Sequence, residues 1–174
     1  RALSPTEVTQ LYKMGESKIN KTNLTAPALR NGLLGHWTMD GPDVTANTTT
    51  DKSGQGNHGT RNGTTKIRGK IGQALTLNGT VDFVDVSDTP FDITSNLTLS
   101  TWVKIASTSQ TQVIIWKTNA YGLIYNYNGI TGCNLSQFCF AATNGTAWSA
   151  ISNGSSVNLN TWYHVVGVFD DAAN

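Results

Sequence analysis

Apolar and polar residues alternate along Leu97–Ile105, and this pattern constrains the fold more than any other feature of the sequence. Every second residue is apolar or threonine, so one face of an extended strand is suited to a core. Similar short segments recur from Gly32 onward, separated by Gly, Asn and Ser turns, with no helical periodicity among them. This spacing predicts an all-β fold, an antiparallel two-sheet sandwich or jelly roll.

The other predicted strands lie on both sides of this segment. They are Leu33–Thr38, Ala74–Leu77, Val81–Val86, Val113–Lys117, Gly122–Tyr127, Gln137–Ala142, Ala147–Ile151 and Trp162–Phe169. The Asn78-Gly79 pair is typical of a two-residue hairpin turn, so the strands on either side of it are predicted to pair. The polar stretch Thr45–Thr65 is predicted to be loop with short extended pieces.

The first fifteen residues predict one short helix. Ser4 is a suitable N-cap, Pro5 suits the first helical position, and Glu7 completes a capping box. The apolar stripe of this helix is narrow, so the helix must dock on something to persist. Residues 16–31 are polar and irregular, and we interpret them as a linker.

The composition excludes several classes of protein. Charged residues make up 13% of the 174 residues and the net charge is +1, which does not suit a nucleic-acid-binding protein. The apolar fraction of 38% argues against disorder. No run of about 18 apolar residues occurs, so no membrane insertion is expected.

Six motifs follow one another along the chain: Gly32–Asp40, Asp51–Thr60, Gly69–Gly79, Val81–Val86, Leu97–Lys104 and Asn160–Val166. In this order they resemble the motifs of the laminin-G-like, concanavalin A-like (lectin/glucanase) jelly-roll domains of bacterial type. The resemblance implies such a domain over residues 32–174. The family pattern would continue beyond Asn174, so the domain is expected to be C-terminally incomplete, with an exposed edge or core face.

The N-terminal segment Arg1–Tyr12 resembles the segment that closes a domain of this family. In this chain the segment precedes Gly32–Asp40, the motif that resembles the opening of such a domain. Residues 1–15 are therefore predicted to be the closing helix segment of a preceding repeat, with the linker of residues 16–31 between the two repeats. The chain is expected to be a fragment of a tandem-repeat protein, with neighbouring repeats as partners.

Cys133 and Cys139 are separated by five residues and have no His nearby, so they form a poor zinc site. One interpretation is a disulfide that closes a hairpin loop, contributing roughly 2 kcal/mol in an oxidising compartment. The alternative is a pair of unrelated buried thiols.

Two sequence patterns could indicate catalysis or nucleotide binding. The stretch Gly54–Gly59 matches G-x-G-x-x-G, but neither a strand before it nor a helix after it is predicted, so a surface loop is favoured. Glycoside hydrolases that share this jelly roll carry closely spaced Glu residues, whereas Glu7 and Glu16 are the only Glu of the chain and precede the domain. We therefore expect no catalytic residues.

The resemblance also implies calcium, which often lies near the first strand in this family. Calcium prefers carboxylate and carbonyl oxygens. Asp40 is the first candidate metal ligand and Asp82 the second. The alternative for Asp40 is that it caps its own turn by accepting hydrogen bonds from backbone amides.

Glycan binding requires exposed aromatic faces, and the candidate ligand-binding residues are Trp148, Tyr121 and Trp116. Tyr125 and Tyr127 share a strand face with Leu123, which indicates core packing. The indoles that lie inside family motifs, and are expected in the core, are those of Trp37, Trp102 and Trp162.

Together these features predict a non-catalytic extracellular or cell-surface module for adhesion or binding, with carbohydrate recognition or surface proteins as its targets. The first alternative is a purely structural repeat of a surface stalk. The second is an inactive or accessory domain of a polysaccharide-degrading enzyme.

Overall fold

The computed structural model describes residues 1–16, 27–143, 145 and 147–171. The Cα positions divide the chain into two compact units. One unit comprises Arg1–Val8 and Asp92–Asn174, and the other comprises Thr9–Phe91. Most of the predicted linker lies outside the described residues.

The N-terminal helix, α1, spans Pro5–Glu16 and begins with the predicted capping box. The Glu7 amide donates to Ser4 Oγ at 3.4 Å, and the Ser4 amide donates to Glu7 Oε2 at 2.9 Å. The segment before the helix is fixed to the larger unit, because the Leu3 amide donates to Thr98 Oγ1 at 2.9 Å. No helix within the described ranges is long and apolar enough to cross a membrane.

The described part of the unit Thr9–Phe91 contains short helices and five short strands. Its elements after α1 are α2 (Pro27–Arg30), a 3-10 helix (Gly41–Asp43), β1 (Thr48–Thr49), β2 (Gly59–Asn62), β3 (Thr65–Arg68), β4 (Gln73–Thr76), β5 (Phe83–Val86) and a second 3-10 helix (Thr89–Phe91). The strands form two antiparallel sheets, β1-β2-β5 and β3-β4.

Two strand predictions in this unit are wrong. The strands flanking Asn78-Gly79 do not pair, since β4 pairs with β3 and β5 pairs with β2. Asn78 Oδ1 instead accepts hydrogen bonds from the amides of Thr80, Val81 and Asp82, which makes a side-chain-stabilised turn between two sheets. The segment 33–38 forms no strand, and its backbone makes one isolated bridge, between Trp37 and Asp51.

In the residues that the structure describes, the other unit contains two further sheets, formed by six strands. These strands are β6 (Leu97–Lys104), β7 (Gln112–Lys117), β8 (Tyr121–Tyr125), β9 (Phe138–Thr143), β10 (Trp148–Ser152) and β11 (Trp162–Phe169). One antiparallel sheet has the order β10-β9-β8-β7, and the other pairs β11 with β6 along eight residues. The structure confirms the predicted all-β, antiparallel sandwich class.

The core of this unit lies between these two sheets. Leu97 of β6 and Phe169 of β11 pack with Leu123 of β8 and Phe140 of β9, as the alternation along Leu97–Ile105 predicts. A second cluster joins Ile105 to the buried ring of Tyr125. Along these strands, every second side chain therefore points into the space between the two sheets. The side chains between them lie on the opposite face of the four-stranded sheet.

Part of the core face of the four-stranded sheet remains uncovered. Ile151 of β10 lies directly opposite Phe140 and so points to the same side of the sheet, yet its side chain is 69% exposed. A groove of about 230 Å³ lies beside it, bounded by Val165 and Val168 of β11. Within the described residues, no strand pairs with the second edge of β11.

Candidate functional site

A β-bulge in β7 selects which side chains reach the outer face of the four-stranded sheet. The register with β8 shifts between Val113 and Ile115. Because of this extra residue, the neighbours Ile114 and Ile115 both pack on the core, while Val113 and Trp116 both face outward. Regular alternation would not place residues 113 and 116 on the same face.

The outer face presents a pair of tryptophans. Trp116 of β7 is 45% exposed and Trp148 of β10 is 39% exposed. Their rings are parallel to within 10°, with centroids 6.2 Å apart, within the range of stacked aromatic pairs. The Trp116 indole lies on the backbone of Gly122 in β8, where a Cβ atom would collide with the ring.

A shallow depression of about 260 Å³ adjoins Trp116. Trp116 lines it together with Thr111, Val113, Ile124 and Tyr127. We call Trp148 and these five residues the aromatic platform.

Tyr127 reaches this face because the strand ends before it. Asn126 has φ of 58°, in the left-handed region, so the alternation that holds Tyr125 in the core is interrupted there. The Asn126 side chain holds this bend by donating to the carbonyl of Thr108 at 2.9 Å and accepting from the Ser136 amide. The sequence prediction that Tyr127 packs in the core with Leu123 is therefore wrong.

The predicted disulfide between Cys133 and Cys139 is present, with the two Cα atoms 5.3 Å apart. Cys139 lies directly opposite Ile124 in the sheet, so the disulfide is attached to the same face as the platform. The loop that it closes is also fixed to β10, because the Asn134 amide donates to Ser152 Oγ at 2.8 Å. The disulfide loop therefore borders the platform.

Two of the three candidate ligand-binding residues reach this face, and one does not. Trp116 and Trp148 meet in the pair described above. Tyr121 is 4% exposed and belongs to the core cluster with Leu123, so it offers no ring to a ligand. The reason is the β8 register, in which Tyr121 and Leu123 point inward while Gly122 points outward.

The indoles expected in the core are only half-buried. The Trp37 Nε1–H donates to the Asn57 carbonyl at 2.9 Å. Trp102 packs on His164, which lies directly opposite it on the outer face of the two-stranded sheet, with ring centroids 5.2 Å apart. The Lys104 ammonium lies over the Trp162 ring, 5.3 Å from its centroid.

Asp40 has the hydrogen bonds of a capping residue. Its Oδ1 accepts from the Gly41 amide at 2.9 Å and from the Gln73 amide at 3.2 Å. Next to it, the Lys66 ammonium donates to the carbonyl oxygens of Gly41 and Val44, at 3.4 and 2.7 Å. The positively charged Lys66 ammonium therefore already binds the carbonyl oxygens that lie beside Asp40.

Asp82, the second candidate metal ligand, accepts a hydrogen bond from the Asn78 amide at 3.0 Å. Within the described parts of the chain, no three His, Cys, Asp or Glu side chains come together in a way that could hold a metal ion. The calcium site thus stays a prediction from the resemblance.

Asp51 organises the loop that contains the G-x-G-x-x-G stretch, a role that no sequence pattern indicated. Its carboxylate accepts from the amides of His36, Ser53 and Asn57, at 2.8 to 3.0 Å, and from Ser53 Oγ at 2.6 Å. Burial opposes ionisation of Asp51, but these hydrogen bonds together lower its pKa below the ordinary value of 3.8. The stretch leads into β2 and not into a helix, so it is a structural loop.

Comparison with known proteins identifies the later part of the chain. A laminin G family model, described as the concanavalin A-like lectin/glucanases superfamily, matches residues 78–174. The matched region includes the whole aromatic platform. No curated protein and no solved structure gives a significant match.

Proposed function

The chain belongs to the concanavalin A-like lectin/glucanases superfamily, and we propose that it is a non-catalytic, extracellular module that binds carbohydrate on its aromatic platform. The family is often carbohydrate- or protein-binding. Because this jelly roll hosts several functions, the choice among them depends on the side chains of the site.

The observation that carries the proposal is the Trp116–Trp148 pair. A pyranose ring has one face of C–H groups, and these groups pack against the electron-rich face of an indole. Two parallel indoles, each more than a third exposed, offer such a surface without any rearrangement of the core. Large exposed aromatic patches are uncommon on proteins that bind nothing.

A binding role without catalysis is supported by the lack of carboxylates. Hydrolysis of a glycosidic bond requires an acid and a base that flank the bond. The sequence contains no Asp or Glu between Ile93 and Phe169, which includes every platform residue. The platform therefore offers a surface that a sugar ring can contact, and no carboxyl group that could act as the acid or base of hydrolysis.

An extracellular location is supported by the disulfide. Structural disulfides persist in oxidising compartments and are rare in the cytosol. The loop that Cys133 and Cys139 close borders the platform, so the oxidised form is the one that the proposed function needs.

Affinity electrophoresis in gels that contain soluble polysaccharides tests the proposal. The wild-type chain is expected to be retarded by at least one polysaccharide, and Trp116→Ala and Trp148→Ala are expected to migrate freely. Phe83→Ala is the matched control, because Phe83 is similarly exposed but lies on β5 in the other unit. If no polysaccharide retards any form, the proposal fails and a spacer role is favoured.

A further inference from the structure

The region that carries the platform has almost no charge. From Ile105 to Phe169 the sequence contains one charged side chain, Lys117. This stretch includes β7 to β10, which make up the whole four-stranded sheet, together with β11 and the loops between these strands. A single charge in such a long stretch is far below the usual share of about 25% for globular domains.

The single charge is neutralised away from the platform. The Lys117 ammonium lies 2.7 Å from Asp92 Oδ1, and the Lys117 side chain is 12% exposed. Lys117 follows Trp116 in β7 and lies opposite the inward-facing Tyr121, so it points to the other side of the sheet. The platform therefore presents indole, phenol, hydroxyl and aliphatic groups, with no ionised group among them.

This absence of charge restricts the ligand. A carboxylate or sulfate that is brought onto an apolar face loses hydration and is accommodated only when a cationic partner replaces it. The platform has no such partner. Binding of an uncharged pyranose carries no comparable desolvation penalty, because its hydroxyl groups at the edge of the contact remain in water.

We infer that the platform selects uncharged polysaccharides and rejects those that carry uronate or sulfate groups. The inference rests on the proposed function and adds the chemical class of the ligand. Binding through such a surface is insensitive to ionic strength, since no charge–charge attraction contributes to it.

The test uses the intact chain in affinity gels with two sets of polymers. The neutral set is xyloglucan, galactomannan and hydroxyethyl cellulose, and the acidic set is polygalacturonate, alginate and dextran sulfate. We expect retardation by at least one neutral polymer, weakened at least about tenfold in Trp116→Ala. We expect none by the acidic set, and less than about a twofold change between 0.05 and 0.5 M salt.

A charge-introducing variant tests the reason for the selectivity. Val113→Lys places an ammonium at the edge of the depression, on a side chain that is already exposed. This variant is expected to gain retardation by polygalacturonate at low salt and to lose it at high salt. A far-UV circular dichroism melt establishes that the variant is folded.

The possible outcomes separate the two claims. Trp116-dependent binding of acidic polymers alone overturns the inference and leaves the proposed function standing. Absence of binding to both sets overturns both. If sedimentation shows a wild-type dimer that Trp116→Ala dissociates, a second copy of the chain occupies the platform and the inference is wrong.

Discussion

Trp116 and Trp148 lie on the two opposite edge strands of a four-stranded sheet, and their indole rings are nevertheless parallel, with centroids 6.2 Å apart. The two central strands explain this approach. Trp116 lies opposite Gly122, which in turn lies opposite Ala141, while Trp148 lies opposite Thr143, two residues further along β9. The small groups at Gly122 and Ala141 leave space for the Trp116 ring to lean across the sheet toward Trp148. The outward side chains of the middle strands thus determine whether a tryptophan pair can form.

The two tryptophans are expected to stabilise one another. A double-mutant cycle of Trp116→Ala and Trp148→Ala should give a coupling free energy of about 0.5–1.5 kcal/mol, the range found for stacked aromatic pairs. Urea denaturation followed by circular dichroism measures it. Strictly additive single and double variants would mean that the rings do not interact in solution.

Gly122 is expected to position Trp116. In Gly122→Ala the new methyl group collides with the indole, so the ring must move away from β8. We expect a loss of stability of about 1–3 kcal/mol, together with weaker polysaccharide binding.

The control for Gly122→Ala is the same substitution in a Trp116→Ala background. Without the indole, the collision is removed, so the added methyl group should cost much less. An equal loss of stability in both backgrounds would show that the methyl group does not act by displacing the Trp116 ring.

The alternating apolar pattern was sufficient to predict the sandwich and most strands after Leu97. The face of Leu97–Ile105 that was predicted to be buried does pack in the core. The prediction of a hairpin at Asn78-Gly79 was wrong, because a local dipeptide signal does not specify which strands pair. The partner of a strand is determined by long-range contacts.

The site was predicted in part, for identifiable reasons. Trp116 and Trp148 were recognised as aromatics outside the family motifs. Their pairing depends on the bulge between Val113 and Ile115, and Tyr127 reaches the same face because Asn126 adopts a left-handed conformation. Bulges and single left-handed residues break the two-residue period, so reading by alternation assigns the residues beyond them to the wrong face.

Removal of the disulfide is expected to destabilise the chain. The double variant Cys133→Ser/Cys139→Ser should lose roughly 2 kcal/mol, because the unfolded chain regains the entropy of a short loop. The midpoint of urea denaturation measures the change. A reducing agent should lower the wild-type midpoint by a similar amount and leave the double variant unaffected, and an unaffected wild-type midpoint would contradict the prediction.

Stability is expected to fall in two steps as the pH is lowered. Burial lowers the pKa of His164 below its ordinary value of 6.5, and its Nε2 lies 2.9 Å from Ser100 Oγ. The unfolded chain therefore takes up this proton first, and stability decreases as the pH falls from about 6.5 toward the folded pKa. His164→Gln retains a hydrogen-bonding group and should reduce this first step.

The second step lies below about pH 4. The lowered pKa of Asp51 stabilises the fold above the ordinary carboxyl pKa, and this contribution is lost as the pH falls through the folded value. Glu7 acts in the same direction, because its hydrogen bonds with Arg1 and Ser4 lower its pKa to about 2. Denaturant midpoints between pH 2 and 8 measure both steps, and a first step of equal size in His164→Gln would show that another group causes it.

The most direct test of carbohydrate binding on the aromatic platform follows the indole N–H signals of the five tryptophans by ¹H–¹⁵N NMR. A neutral oligosaccharide from a polymer that retards the chain is titrated into the labelled protein. We predict that the signals of Trp116 and Trp148 shift and saturate together, while those of Trp37, Trp102 and Trp162 stay in place. Shifts confined to these other three indoles would contradict the account.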